Sequence, residues 1–307
     1  MPLSEPLFER VASAPPVPRG LPLVIALTGF TDAGNAVARL VEYFRDDLAP
    51  HTLAVFSNDV LLDYRARRPL VSFDQDHLTD YRPPRLELSL VHDALGQPFV
   101  LLAGYEPDFA WESFSQTVLG LADSLGVSSV TWVHAIPMPV PHTRPIGTTV
   151  SGTRSDLTKA HSVWQPHTQV PATVGHLLEY RFAEAGASVA GFVLLVPHYL
   201  GDTEFPAATL AALDALTVAT GLVFTGEDLR EENRQYLAKV EEQVEGSEEL
   251  SRMLQGLEER YDAYMAGSTL ATPIIHTGDL PSADELAAEL ERFLASRPSG
   301  DDDKRGS

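Results

Sequence analysis

Residues 134–145 read His-Ala-Ile-Pro-Met-Pro-Val-Pro-His-Thr-Arg-Pro and place two imidazoles and a guanidinium on one proline-stiffened segment. Imidazole moves protons or ligates metal, and a guanidinium such as that of Arg144 grips an anion with two parallel hydrogen bonds. Prolines at 137, 139, 141 and 145 forbid helix and remove sheet donors, so the chain is expected to leave the sheet extended there. Further on, Val196-Pro197-His198-Tyr199 follows another apolar run. His134, His142 and His198 are therefore expected to converge at one sheet edge. Three histidines suffice for zinc. However, no His-x-x-x-His pair or carboxylate-bearing helix accompanies them, so hydrogen-bonded struts are the preferred reading. His77, His161, His167 and His176 have no visible partner.

Two further stretches sit between an expected strand and its helix. In Thr28-Gly29-Phe30-Thr31-Asp32-Ala33-Gly34-Asn35 the glycines allow tight turns, and the following helix start could hold an anion near Asp32 and Asn35. Asp32 is itself an anion able to cap that helix, which is the preferred reading. The stretch is neither a P-loop nor a dinucleotide fingerprint. In Gly104-Tyr105-Glu106-Pro107-Asp108, the two carboxylates could form a general acid/base pair. The preferred account has Asp108 capping the helix that begins at Phe109, with Glu106 solvated. No Gly-x-Ser-x-Gly elbow is present, which disfavours a serine hydrolase.

The elements that must position these groups follow from hydrophobic periodicity. Strands are expected at 21–27, 53–56, 86–91 (half-exposed), 99–103, 127–133 and 189–196. Helices are expected at 34–48, 109–125, 173–185 and 207–220, the last closed by Gly221. Residues 135–171 show little periodicity. Alternating strands and helices imply a mainly parallel sheet flanked by helices. From 228 to 265, Leu237, Val240, Val244, Leu250, Leu254, Leu257 and Tyr261 fall near heptad spacing in a Glu- and Arg-rich background, predicting a helical pair broken at Gly246-Ser247. A short helix is expected over 284–294. The domain reading is a flexible Pro-rich leader (1–20), an α/β core (21–225), a helical C-terminal extension (226–298) and a disordered tail (299–307).

Composition narrows the function classes. The 307-residue chain carries 43 acidic and 22 basic residues, a net charge of -21, with no basic patch denser than Arg65, Arg67 and Arg68. Such a surface repels phosphate backbones, so nucleic-acid binding is not expected. No apolar run approaches a membrane span, and the leader lacks a signal-peptide pattern, so the expected location is cytoplasmic. Cysteine is absent, which removes disulfides and thiolate chemistry.

Taken in order, these segments resemble the proteasome assembly chaperone 2 (PAC2) family in its actinobacterial branch. The resemblance rests on the Gly29–Gly34 and Gly104–Asp108 stretches, on Asp63-Tyr64-Arg65-Ala66-Arg67-Arg68-Pro69, and on the two histidine motifs, His134-Ala135-Ile136-Pro137 and Pro141-His142-Thr143-Arg144-Pro145. Pro171-Ala172-Thr173 and Val196-Pro197-His198-Tyr199 complete it. It implies a nucleoside-phosphorylase-like α/β fold, a helical extension and homo-oligomerisation, here expected as a trimer. Chaperone members of that group commonly dock on the proteasome through a hydrophobic–tyrosine–any-residue tail. This sequence closes on Lys304-Arg305-Gly306-Ser307, so direct capping is not expected. The expectation is a non-enzymatic, oligomeric assembly or scaffold protein of unknown protein partner, without cofactor, metal or catalytic residue. The alternative is an enzyme or sensor of a small anionic metabolite, with Asp32, Asn35, Glu106, His134, His142, Arg144 and His198 lining its cleft. A metal hydrolase ranks third.

Overall fold

The computed structural model describes residues 6–164 and 167–266. Strands β1 (Phe8–Arg10), β2 (Pro22–Thr28), β3 (His51–Phe56), β4 (Leu70–Asp74), β5 (His77–Arg82), β6 (Leu86–His92), β7 (Pro98–Tyr105), β8 (Ser129–Met138), β9 (Gly147–Gly152) and β10 (Val189–Pro197) alternate with helices. The helices are α1 (Ala36–Asp47), α2 (Asn58–Leu61), α3 (Trp111–Leu125), α4 (Ser155–His161), α5 (Val174–Glu184), α6 (Pro206–Thr220), α7 (Glu227–Glu245) and α8 (Glu248–Met265). Eight strands form one sheet in the order β1-β3-β6-β7-β2-β8-β10-β9, and β4 with β5 makes a separate hairpin. Strands β3, β7, β2, β8 and β10 run one way and β1, β6 and β9 the other, so the sheet is mainly parallel, with a parallel centre and antiparallel margins.

Both sheet faces are covered, which is why the central strands read as unbroken apolar runs. In β2, Val24 and Ala26 face a core completed by α1, α6 and α7, whereas Leu23 and Ile25 face one completed by α3 and α5. The same cover buries β6, which alternation had suggested would be half-exposed; Leu86, Leu88, Ser89, Leu90 and Val91 are all buried. Helix ends follow their local chemistry. Gly126 and Gly221 adopt left-handed geometry (φ 66° and 77°) after α3 and α6, and Pro206 opens α6. Gly104, at φ 138°, lies where a side-chain carbon would stand 2.1 Å from the Arg85 carbonyl oxygen, so glycine is required there.

Three segments differ from the sequence expectation. The leader is not free: Phe8–Arg10 pair with β3, and Leu7, Phe8 and Val17 pack on the second core. The stretch 135–171 holds β9, α4 and the end of β8. Pro137 and Met138 remain paired with Val196 and Pro197. Pairing with β2 ends at Ile25 and Trp132, leaving only an isolated bridge from Asp32 to Ala135 on that side. Prolines are tolerated in such edge-like positions. The hairpin β4–β5 was not anticipated, because its residues are almost all exposed. The helical pair α7–α8 breaks at Gly246-Ser247; the helix expected over 284–294 and the tail 299–307 lie outside the described residues. Among the described residues, no helix is long and apolar enough to cross a membrane.

Asp93 closes the turn between β6 and β7. Its buried carboxylate accepts from the backbone N–H groups of Leu95 and Gln97 and, across 130 residues, from Val223 after α6. Burial pushes its pKa up, but the backbone donors outweigh it and hold the pKa below the usual carboxylate value. Asp93→Ala is expected to cost about 2 kcal/mol or more in urea unfolding at pH 7, because three donors lose their acceptor. The stabilisation is full above the unfolded-state carboxylate pKa and fades as pH falls through the lower folded value, so the variant and parent should converge in acid.

Candidate functional site

The carboxyl ends of β2, β7, β8 and β10 gather the sequence-predicted groups, but on two opposite sheet faces. On the α3/α5 face, Glu106 leaves the end of β7 and is buried. Its carboxylate accepts from Val174 N at 2.6 Å, the first residue of α5, and from Phe30 N at 3.2 Å, in the loop after β2. Gly29 makes room: a side-chain carbon there would lie 2.5 Å from both Cβ and Oε2 of Glu106. The expected solvated Glu106 is therefore corrected. It is a buried side chain committed to two backbone donors 68 and 76 residues away.

Beside it stand His134, Trp132 and His176. Trp132 packs 4.9 Å from His176, and His134 lies 6.3 Å from both rings. His176, expected to be incidental, belongs to the cap of α5: Thr173 Oγ1 accepts from His176 N, and Thr173 N donates to His176 Nδ1 at 3.1 Å. The signal was the Thr173-x-x-His176 spacing before an apolar helix, a capping box with imidazole in the usual Glu place. Burial, and secondarily His176, pushes the His134 pKa down to about 4, so the ring is neutral near pH 7. The cavity bounded by Phe30, Glu106, His134 and Thr173 measures about 10 Å³, room for a single water.

The other expected residues lie on the α1/α6 face. Asp32 accepts from Val37 N and Ala38 N, each at 2.8 Å, so it caps α1 as preferred; burial raises its pKa against those bonds. Asn35 turns through the left-handed region at φ 51° without a side-chain cap bond. His142 meets Tyr199, whose hydroxyl lies 2.7 Å from His142 Nδ1 and 2.8 Å from its backbone N. His198 stacks edge-on to the same tyrosine at 5.4 Å, and burial lowers its pKa. Arg144, expected to be the cation for an anionic ligand, is taken by α8. Its Nε and Nη2 donate to Asp262 at 2.9 and 2.6 Å, and Glu258 lies 3.3 Å from Nη1.

His134 is thus separated from His142 and His198 by the sheet, and the expected convergence of all three does not occur. Among the described residues, no group of three His, Asp or Glu side chains is placed to hold a metal ion. Asp108 also departs from expectation. It accepts from Asp63 N at 2.7 Å and pairs with Arg67, while Ala110 occupies the N-cap of α3. Arg67 in turn donates to the Glu106 carbonyl at 2.6 Å and lies over the Tyr105 ring, fixing the 62–69 loop to the end of β7.

The PAC2 family model matches residues 26–244. Among solved structures, a protein of unknown function from Corynebacterium glutamicum is 34% identical with a TM-score of 0.80, covering 84% of this chain and 97% of that one. The unknown-function protein Rv2714 of Mycobacterium tuberculosis is 40% identical with a TM-score of 0.79, over 87% of this chain and 92% of that one. The fold also matches Rv2125 of the same organism, described as a proteasome-assembly chaperone homologue, at 21% identity and a TM-score of 0.69, over 76% of this chain and all (100%) of that one. No curated protein matches the sequence.

His134 generates a pH test. Its depressed pKa means that the unfolded chain binds a proton near pH 6.5 that the folded chain refuses until about pH 4. Stability is complete above pH 6.5 and declines on acidification through that window, by on the order of 3 kcal/mol from this group. In urea unfolding at pH 7.5 and 4.5, His134→Gln should reduce the difference between the two pH values; an unchanged difference would show that His134 titrates normally.

Proposed function

We propose, for a chain that belongs to the PAC2 family, that it acts as a non-enzymatic homo-oligomeric assembly or scaffold protein whose partner is another protein. One observation carries this reading: at the sheet's carboxyl edge, the candidate chemical groups are already bonded within the chain. Both oxygens of Glu106 hold backbone donors, Asp32 holds α1, and Arg144 is neutralised by α8. A catalytic or ligand-binding edge keeps such groups available for a substrate, and the adjoining cavity here admits only a water. Relatives of the same fold include a proteasome-assembly chaperone homologue, which supports a role exercised through protein surfaces.

The exposed hairpin β4–β5 supports self-association. Phe73 lies opposite Leu78, and Leu70 opens the same strand; these three are 73%, 64% and 73% exposed. A lone two-stranded ribbon is marginal in water and needs a second surface to cover its apolar face. With a net charge of -21 per chain, copies repel one another, so their contact requires apolar area. A trimer is the assembly we propose.

Light scattering at micromolar concentration should report a mass above 33.4 kDa, near three times that value. Phe73→Asp with Leu78→Asp should return the mass to one chain while leaving the circular dichroism of the core unchanged. A monomeric parent protein would overturn the reading. The alternative, a sensor or enzyme of an anionic metabolite, requires Arg144 to exchange Asp262 and Glu258 for ligand. It predicts stabilisation by nucleosides or phosphate at millimolar concentration, where the scaffold reading predicts none.

A further inference from the structure

A cavity of about 320 Å³ opens between the N-terminal segment and the sheet, beside the last turn of α3. It lies at the opposite end of α3 from Glu106, and no residue of the candidate edge lines it. Its walls include Val17, which is half-buried, and Leu53, Leu88 and Leu121, which are buried beneath it. The volume falls at the lower end of the range of small-molecule sites, about 300–1,000 Å³.

Two arginines, Arg10 and Arg19, line the same cavity and are exposed at its mouth. The Arg10 guanidinium rests 6.0 Å from the centre of the Phe8 ring, and Arg19 lies against Gly126 at the end of α3. Among the described residues neither meets a carboxylate, whereas Arg39, Arg67, Arg144 and Arg181 each do. Among the described residues Arg65, Arg68, Arg230, Arg252 and Arg260 also lack a carboxylate partner, but only Arg10 and Arg19 line this hollow. Apolar walls call for a hydrocarbon chain, and guanidinium groups at the rim call for an anionic head.

We propose that this cavity binds a monomeric medium-chain carboxylate, its chain against Val17, Leu53, Leu88 and Leu121 and its head between Arg10 and Arg19. The site is independent of the scaffold reading and of the residues at the sheet's carboxyl edge. The closing of one wall by the N-terminal segment explains why an otherwise irregular, Pro-rich leader is held against the second core.

Isothermal titration of the full chain with sodium decanoate, below its micelle concentration, tests the proposal. Saturable binding of one decanoate per chain is expected, with decanol weaker by about tenfold because it lacks the charge-assisted bonds. Acetate, which lacks the chain, should give no heat. The double variant Arg10→Gln, Arg19→Gln should lose the same tenfold for decanoate with an unchanged melting temperature, since both side chains are exposed. Ala14→Trp, which fills the cavity from the leader side, should abolish decanoate binding. Equal affinity for decanol and decanoate, unchanged affinity in the arginine variant, or no binding of decanoate would each overturn the proposal. Binding to phosphatidylglycerol vesicles without binding of free decanoate would overturn it too.

Discussion

The carboxylate of Glu106 is the interaction on which the carboxyl edge of the sheet depends. Three chain segments meet there: the end of β7, the loop after β2 and the start of α5. A buried carboxylate is costly unless it is hydrogen-bonded, and here the bonds come from the unpaired N–H groups of a helix start and a tight turn. Those N–H groups would themselves be unsatisfied without it. The fit depends on Gly29, since any side chain there would occupy the carboxylate's place. The residue that looked most like a general acid is therefore the fastener that gives the edge its shape.

The same device recurs around the sheet. Asp32 fastens α1, Asp93 joins the β6–β7 turn to the segment after α6, and Asp108 holds the 62–69 loop. Asp32 and Asp93 bind backbone donors, and Asp108 binds one backbone donor together with the Arg67 guanidinium. On the far face, the arginines act in a complementary way: Arg144 carries α8, and Arg39 reaches Glu232 on α7 at 2.6 Å. The helical extension is thus held by charge at its rim and by Leu229, Val240 and Leu257 beneath it.

Much of the fold was legible in the sequence. The apolar runs of β2, β8 and β10 and the amphipathic spacing of α1, α3 and α5 are direct imprints of burial. The hairpin β4–β5 was not, because nothing among the described residues buries it and no periodicity is imposed on it. Proline misled at β8, where a strand flanked on one side tolerates residues that a central strand would not. At the candidate edge, residue types were read correctly but their faces were not. Strand parity assigns His134 to one face, yet the paths of the loops that carry His142 and Arg144 to the other depend on tertiary contacts. The role of Glu106 was equally hidden, because its partners are backbone N–H groups that every residue but proline possesses.

The internal pairing of arginines has a further consequence. With 43 acidic against 22 basic residues, and several of the arginines tied to carboxylates, the outer surface behaves as a polyanion and draws a shell of counterions around it. Any association between copies must confine that shell, so added salt lowers its cost, whereas contacts built on ion pairs weaken as salt rises. Raising the ionic strength therefore eases any close approach of two copies, where it would weaken a contact built on ion pairs.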